Sequence, residues 1–382
     1  MPDRLPVVTT LAELGGWSPV LRRLLDGDDL TGDEAAAALA DVLAGEASAA
    51  QIAAFVVALR AKGETVDELV GMVGAMLAAA ERVSLPEGCD PIDTCGTGGS
   101  APRREACFNV GTLTALVATG AGAVVCKHGG RAATATSSSA DLLAGLGVSI
   151  ELGPAGVLRC LDEVGMAFCF APRYHPAMRH AAPVRKEIGV PTVFNLLGPL
   201  SNPSGLHRQV LGVADAGLAP TLAAVLAGRG AERAMVVRGH DGLDELTTTT
   251  SSTVFEVRDG EIRSFELDPA GLGLARATPG DIRGGDPAAN VALAHRVLGG
   301  ERGAHREVVA LNAAAALVVG GLADDLRSGL ERAFAAIDSG AAAGVLERLA
   351  AVSQAAEAEE RSPDGDDAAG RASAGSPTPG AV

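Results

Sequence analysis

Three short segments of this chain hold residue types that handle charged phosphates. Gly96-Thr97-Gly98-Gly99 follows the strand-like run Pro91-Ile-Asp-Thr94 and leads toward a helix, so its amides can face an anion with no side chain in the way. Lys127-His128-Gly129-Gly130-Arg131 closes the apolar run Ala123-Val-Val-Cys126 and adds a lysine point charge. Asp241-Gly-Leu-Asp244-Glu245, after the extended run Ala234-Met-Val-Val237, offers adjacent carboxylates, hard oxygen donors suited to a Mg2+ ion shared with substrate phosphates. Each segment also has an ordinary reading, as a tight turn, a strand end or solvated charge. Their joint occurrence in this order describes a site for an anionic sugar phosphate and its metal.

The elements that must position these segments are legible in the patterning. Thr31-x-x-Glu34, Ser48-x-x-Gln51 and Thr65-x-x-Glu68 each precede an apolar-periodic stretch, which predicts three capped helices within a helical first 85 residues. From Pro91 short apolar runs alternate with helical stretches. Val124-Cys126, Ala167-Phe170, Val210-Val213 and Ala234-Val237 read as strands, and Thr112-Gly120, Ala140-Leu146, Ala155-Val164 and Ala219-Gly228 as helices, an alternation that calls for a mainly parallel sheet covered by helices. Val254-Val257 and Ile262-Phe265 flank an Asp259-Gly260 turn and read as a hairpin, after which helices dominate from Ala288 to Ala351. Beyond Gln354 the composition turns to Ala, Glu, Asp, Ser, Pro and Gly, which predicts a disordered tail.

With 382 residues, 47% hydrophobic and 20% charged, the chain is large enough for two domains. Only 3% is aromatic, with Trp17 and Tyr174 alone of their kinds, so alanine, leucine and valine must fill the core. No apolar stretch reaches membrane-helix length and the N-terminus lacks a signal-peptide pattern, so a cytoplasmic protein with no membrane partner is expected. Cys89, Cys95, Cys107, Cys126, Cys160 and Cys169 show no zinc-site spacing and read as free thiols. A net charge of −16, with six acidic residues against Arg361 and Arg371 from Glu357 onward, disfavours nucleic acid as a partner.

The three segments, with Phe108-Asn109, Ser139-Ala-Asp141, Ala171-Pro-Arg-Tyr-His-Pro-Ala-Met178, Ala182-Pro-Val-Arg185 and Phe194-Asn-Leu-Leu-Gly-Pro-Leu-Ser-Asn-Pro203, resemble the anthranilate phosphoribosyltransferase family. The resemblance implies a small N-terminal helical domain (1–85, joined by a returning segment near 183–203), a larger α/β domain (86–352) with a mainly parallel sheet, and a tail (353–382). It implies a homodimer and a pentosyltransferase that moves 5-phosphoribosyl from phosphoribosyl pyrophosphate (PRPP), with Mg2+ as cofactor and small molecules as partners. Carried over residue by residue, PRPP would meet Gly96, Thr97, Gly98, Gly99, Ser100, Cys107, Asn109, Thr112, Lys127, Arg131, Thr134, Ser137 and Ser139. Asp244 and Glu245 would hold the metal, His128 and Lys127 would serve catalysis, and Gly96, His128, Gly130, Tyr174 and Arg185 would face the acceptor.

The chain departs from the family pattern on the acceptor side. Ser100 stands where relatives carry aspartate, Cys107 follows a longer connector in place of a hydroxyl residue, Gly111 replaces a serine, and Gly130 replaces the asparagine that touches anthranilate. These changes point to a specialised acceptor, an aminocyclitol or aminoglycoside such as neamine in antibiotic biosynthesis. Retained Arg185, matching the arginine that meets the anthranilate carboxylate, supports the alternative, anthranilate itself in tryptophan synthesis. A hydroxyl acceptor would require a general base, for which His128 is a candidate, whereas the neutral aryl amine of anthranilate would not. A non-catalytic, nucleic-acid-binding relative is the remaining reading, opposed by the acidic composition and the intact Lys127 and Asp244-Glu245.

Overall fold

The computed structural model describes residues 9–98, 108–131 and 137–362. Four helices open the chain: α1 (Trp17–Leu25), α2 (Gly32–Ala44), α3 (Ala49–Lys62) and α4 (Val66–Ala78). All three expected capping boxes form, with Thr31, Ser48 and Thr65 each exchanging hydrogen bonds with the residue three places on. Glu68 does more than cap. Fully buried, it accepts from the amides of Leu30 (2.9 Å) and Thr65 (2.8 Å) and from Lys62 Nζ (3.1 Å), which ties the start of α2 to the start of α4. Trp17 packs edge-on to Phe55 at 5.6 Å and donates its indole N–H to Asp41 at 2.9 Å.

The α/β part runs β1 (Ile92–Gly96), α5 (Val110–Gly120), β2 (Val125–Gly129), α6 (Ser139–Gly145), α7 (Pro154–Val164) and β3 (Met166–Phe170). The chain then leaves the sheet through α8 (Ala171–Tyr174), a 3-10 turn at Pro176–His180, α9 (Ala182–Ile188) and α10 (Val193–Leu200). It returns as β4 (Arg208–Gly212), α11 (Ala219–Gly228), β5 (Arg233–Gly239), β6 (Ser252–Arg258) and β7 (Glu261–Leu267), and ends in α12 (Pro287–Leu298), α13 (Ala304–Val319), α14 (Leu326–Asp338) and α15 (Ala341–Glu360). The seven strands lie in the order β3-β2-β1-β4-β5-β6-β7, parallel from β3 to β5 and antiparallel beyond. The expected hairpin forms, and its turn places both Asp259 (φ 51°) and Gly260 (φ 82°) in the left-handed region, as a two-residue hairpin turn requires.

Side-chain alternation along β4 and β5 separates two cores. Val210, Met235 and Val237 face the α5 and α13 side, whereas Leu211, Ala234 and Val236 join α1–α4, α10 and α11 on the other. The returning segment completes the helical layer: Ala181, Val184, Val193, Phe194 and Leu197 belong to the same apolar cluster as α1–α4. α13, buried from Val308 to Val319, is so rich in alanine that it approaches α5 and α14 closely without aromatic fillers. Among the described residues no helix is long and apolar enough to cross a membrane.

The tail begins later than composition suggests. α15 continues to Glu360 because its polar residues grip the 147–156 loop: Ser353 Oγ accepts from Ser149 N, Gln354 donates to Gly147 O, Glu357 accepts from Ser149 Oγ, and Glu360 accepts from Gly153 N and Gly156 N at 2.9 and 3.0 Å. Glu360 thereby supplies the carboxylate at the N-terminus of α7 that α7's own sequence lacks. The expectation of disorder from residue 353 is corrected for 353–360. The acidic segment from 363 lies outside the described residues.

Candidate active site

Strand order reverses between β1 and β4, and the carboxyl ends of strands at such a point form the crevice where open α/β sheets take ligands. Gly96 ends β1 there, Lys127-His128-Gly129 ends β2, and Gly212 and Gly239 end β4 and β5. The loop after β5 crosses these ends closely: a Cβ on Gly212 would overlap the Asp244 carbonyl oxygen, which makes glycine obligatory there, and one on Gly96 would overlap Asp244 Oδ2, which the Asp244 side chain could escape only by turning away. Gly98, at φ 65°, turns its amide to Asp244 Oδ2 at 2.9 Å. The glycine loop therefore grips the chain's own carboxylate. Thr97 is tied by its amide to Gly212 O at 2.9 Å, and its hydroxyl stays local, on Gly98 O.

Asp244 and Glu245 stand side by side and half-buried. Glu245 Oε1 accepts from Gly111 N at 3.2 Å. Burial raises both carboxyls above the usual range, Glu245 strongly so because the Asp244 charge adds to the effect, and no cation pairs with either among the described residues. Two hard oxygen donors in this state fit a divalent cation. The described residues contain no cluster of three ligating side chains, so further ligands must come from elsewhere, as Mg2+ customarily takes them from water and phosphate.

Lys127 is not the mobile charge its type suggests. It is 3% exposed, and its ammonium donates to Thr94 O beside the Gly111 Cα. Its charge acts on Asp93, Asp244 and Glu245 at once. Asn109, at the N-cap of α5, exchanges hydrogen bonds with Ser137 (Nδ2 to Ser137 O, 3.2 Å; Ser137 Oγ to Oδ1, 3.1 Å), while buried Thr112 Oγ1 has no partner. An orphaned hydroxyl in the first turn of α5, next in sequence to the Gly111 amide that Glu245 takes, suits an oxyanion. Ser139 opens α6, which Ser138 caps, and Arg131 is exposed and paired with Asp141 at 2.5 Å. Gly99, Ser100, Cys107 and Thr134 lie outside the described residues.

On the acceptor side the structure separates the candidates. His128 is 5% exposed, its ring 5.1 Å from that of His175, with Nε2 left unpartnered. Burial, then the neighbouring His175 and Lys127, push its pKa down to about 3. The same surroundings favour its neutral form, which weighs against the proton-taking role considered for it. Arg185 lies 5.3 Å over the Phe194 ring, its pKa lowered by burial, and makes no ion pair among the described residues. Gly130 borders Ala171 and Pro172 with room for a Cβ, at 3.6 and 3.9 Å. Tyr174 is core: fully buried, its hydroxyl donates to Leu152 O at 3.0 Å, which removes it from the acceptor contacts.

Comparison with known proteins decides the family. Residues 89–343 match the "Glycosyl transferase family, a/b domain" model and residues 18–80 the "Glycosyl transferase family, helical bundle domain" model. Anthranilate phosphoribosyltransferase from Nocardioides sp. is 51% identical over 340 residues, covering 88% of this chain and 98% of the relative. The chain belongs to the anthranilate phosphoribosyltransferase family. The protein of that name from Salinispora arenicola is 48% identical over 89% of this chain and 97% of its own length. Among solved structures, the Thermus thermophilus enzyme superposes with a TM-score of 0.82 at 40% identity, covering 87% of this chain and 99% of that one. The Saccharomyces cerevisiae enzyme, in complex with PRPP and Mg, gives 0.80 at 27%, covering 88% and 97%. This member of the family is a pentosyltransferase that transfers phosphoribosyl from PRPP. The named relatives favour anthranilate over the aminocyclitol expected from Ser100, Gly111 and Gly130, and the antibiotic-pathway reading finds no support in them.

Two residues that hold this family member's site together escape a reading of the sequence. Fully buried Asp93, its carboxyl raised by burial against the pull of Lys127, receives the His128 amide at 3.2 Å and Asn202 Nδ2 at 3.0 Å. Asn290 of α12, 2% exposed, donates to Asn109 Oδ1 at 3.4 Å across 181 positions of sequence. Asp93 sits in the strand before the glycine loop and could be noticed as a charge in an apolar run; Asn290 carries no local signal.

Proposed function

We propose that this enzyme transfers the 5-phosphoribosyl group of PRPP to the amine of anthranilate, releasing pyrophosphate. The observation that carries the reading is a half-buried Arg185 that lies 5.3 Å over the Phe194 ring and makes no ion pair among the described residues. Arg185 supplies a cation for the acceptor carboxylate, and Phe194 beneath it offers an aromatic surface. His128 Nε2, unpartnered, receives an amine N–H and orients the nitrogen lone pair at C1 of the ribose. As the N–C1 bond forms, the C1–O bond to pyrophosphate breaks, and the proton of the resulting ammonium passes to solvent. A neutral aryl amine needs no base for attack, in keeping with a site whose nearest imidazole stays unprotonated and weakly basic.

Asp244 and Glu245 are the residues that would hold Mg2+, whose charge when bound offsets that developing on the leaving pyrophosphate. Thr112, Asn109 and Lys127 line the approach to the same phosphates. A homodimer through the helical domain belongs to this reading. Leu25 is 78% and Val57 48% exposed on the touching helices α1 and α3, and sedimentation of the purified protein measures the association.

The acceptor is tested by incubating enzyme with Mg2+ and PRPP and following anthranilate fluorescence and product mass, with neamine as the competing acceptor. Anthranilate is expected to be consumed with stoichiometric pyrophosphate release, and Arg185→Ala to raise its KM more than it lowers kcat. Ribosylated neamine with anthranilate untouched would reverse the assignment.

A further inference from the structure

At the end of the sheet opposite the carboxylate pair, where β4 begins, a cavity of about 40 Å³ opens between the end of α10, the 201–207 connection and the end of α11. Its lining includes Leu200, Asn202, Gly205, His207, Gln209 and Arg229, with no acidic residue among those described. Arg82, in the connection after α4, lies against the cavity wall: a Cβ on Gly205 would stand 2.6 Å from Arg82 Nη2.

The neutral side chains here are already engaged. Asn202 donates to Asp93 and to Cys126 O, and Gln209 donates to Pro199 O. The cations are not. Arg229 gives one N–H to Leu200 O at 2.7 Å, leaving the rest of a five-donor fork free. Arg82 makes no hydrogen bond or ion pair among the described residues, its neighbour Glu81 being taken by Arg173. Burial, then the charge of Arg82, lower the Arg229 pKa to about 10. Two guanidiniums that repel each other beside a cavity, with no carboxylate to relieve them, are an arrangement that a bound anion stabilises.

We propose that this cavity binds a phosphate group, held by Arg82, Arg229 and His207, at a site separate from the one that takes PRPP. A dianion matches two guanidinium charges, and tetrahedral oxygens accept from donors arriving on several sides. The space is about three times what a single water needs, enough for the phosphate itself, with any attached carbon skeleton in the mouth. Arg82 follows the helical layer, Leu200 and Gly205 belong to the returning connection, and Arg229 ends α11, so the bound group ties three separate stretches of chain together.

The test uses the whole enzyme with the catalytic site filled by PRPP and Mg2+ and no acceptor present. Inorganic phosphate is titrated calorimetrically, and ribose 5-phosphate in a parallel arm. One phosphate per chain is expected to bind to this PRPP-loaded enzyme, and the tighter of the two arms identifies a free phosphate or a phosphomonoester as the natural form. Arg82→Ala, at an exposed position, is expected to weaken this binding at least about tenfold, the loss typical of a charge-assisted contact, while kcat with acceptor in phosphate-free buffer stays at the wild-type value. Arg229→Gln should do the same. No binding once PRPP is in place, or binding undiminished in R82A, overturns the proposal.

Discussion

Replacing Gly96 by alanine tests the central geometric claim, that the glycine loop exists to seat a carboxylate. The new methyl would overlap Asp244 Oδ2 and stand 3.2 Å from Asp244 Cγ. Because the Asp244 backbone is itself locked over Gly212, the side chain must rotate away and abandon the 2.9 Å bond from Gly98 N. A hydrogen bond to a charged group contributes about 1.5–3 kcal/mol, and at about 1.4 kcal/mol per tenfold its loss lowers kcat/KM by roughly 10- to 150-fold. Gly96 is exposed at a strand end, so the melting temperature should barely move. Initial rates measured across a Mg2+ series at fixed PRPP should show half-saturation displaced to higher metal concentration. A variant with wild-type Mg2+ half-saturation and unreduced kcat/KM would refute the claim that Asp244 acts through this seat.

Four further outcomes follow from contacts described above. Gly111→Ser should fold normally, since its Cβ would lie 3.5 Å from Thr94 O, 3.6 Å from Lys127 Nζ and 3.7 Å from Glu245 Oε1; its hydroxyl should lower the KM for PRPP, and an unchanged KM counts against Gly111 facing the metal and phosphates. His128 has a folded-state pKa near 3, below its unfolded value, so it favours folding fully above about pH 6.5 and progressively less as pH falls towards 3. Denaturant unfolding of His128→Gln should therefore show a shallower loss of stability across that window, and an identical slope would place the imidazole in water. Glu360→Gln weakens the acceptor shared by Gly153 N and Gly156 N and should cost about 1–2 kcal/mol in urea unfolding with kcat intact. Tyr174→Phe orphans Leu152 O and should cost about 1–3 kcal/mol with the acceptor KM unaltered; a raised KM would return Tyr174 to the acceptor site.

What could be read from the sequence was whatever is decided locally. The capping boxes at Thr31, Ser48 and Thr65, the Asp259-Gly260 turn and the strand-like runs Pro91-Thr94 and Val124-Cys126, which the structure extends to Gly96 and Gly129, are set by residues within a few positions of one another. The errors share the opposite cause. Residues 353–360 look disordered because their composition cannot bury a face, yet hydrogen bonds to a loop some 200 positions earlier hold them helical. Tyr174 sits within a family motif but points into the core, and Lys127 is immobilised by Thr94 from the neighbouring strand. On the acceptor, Gly111 and Gly130 read locally as lost chemistry, whereas the named relatives favour anthranilate, and the burial of Arg185 and His128 that bears on the question arises from packing.

The returning segment also sets the order in which the molecule can be completed. The apolar cluster of α1–α4 includes Ala181, Phe194, Leu211, Leu226 and Val257, so the helices made first have no finished interior until well over half the chain exists. Gly98 meets Asp244 across 146 positions. On a ribosome, the N-terminal quarter emerges as capped helices with an open apolar face, and the carboxylate seat closes only after β5 has been synthesised. A nascent chain stalled before residue 181 should thus be a substrate for chaperones and proteases rather than a folded helical domain.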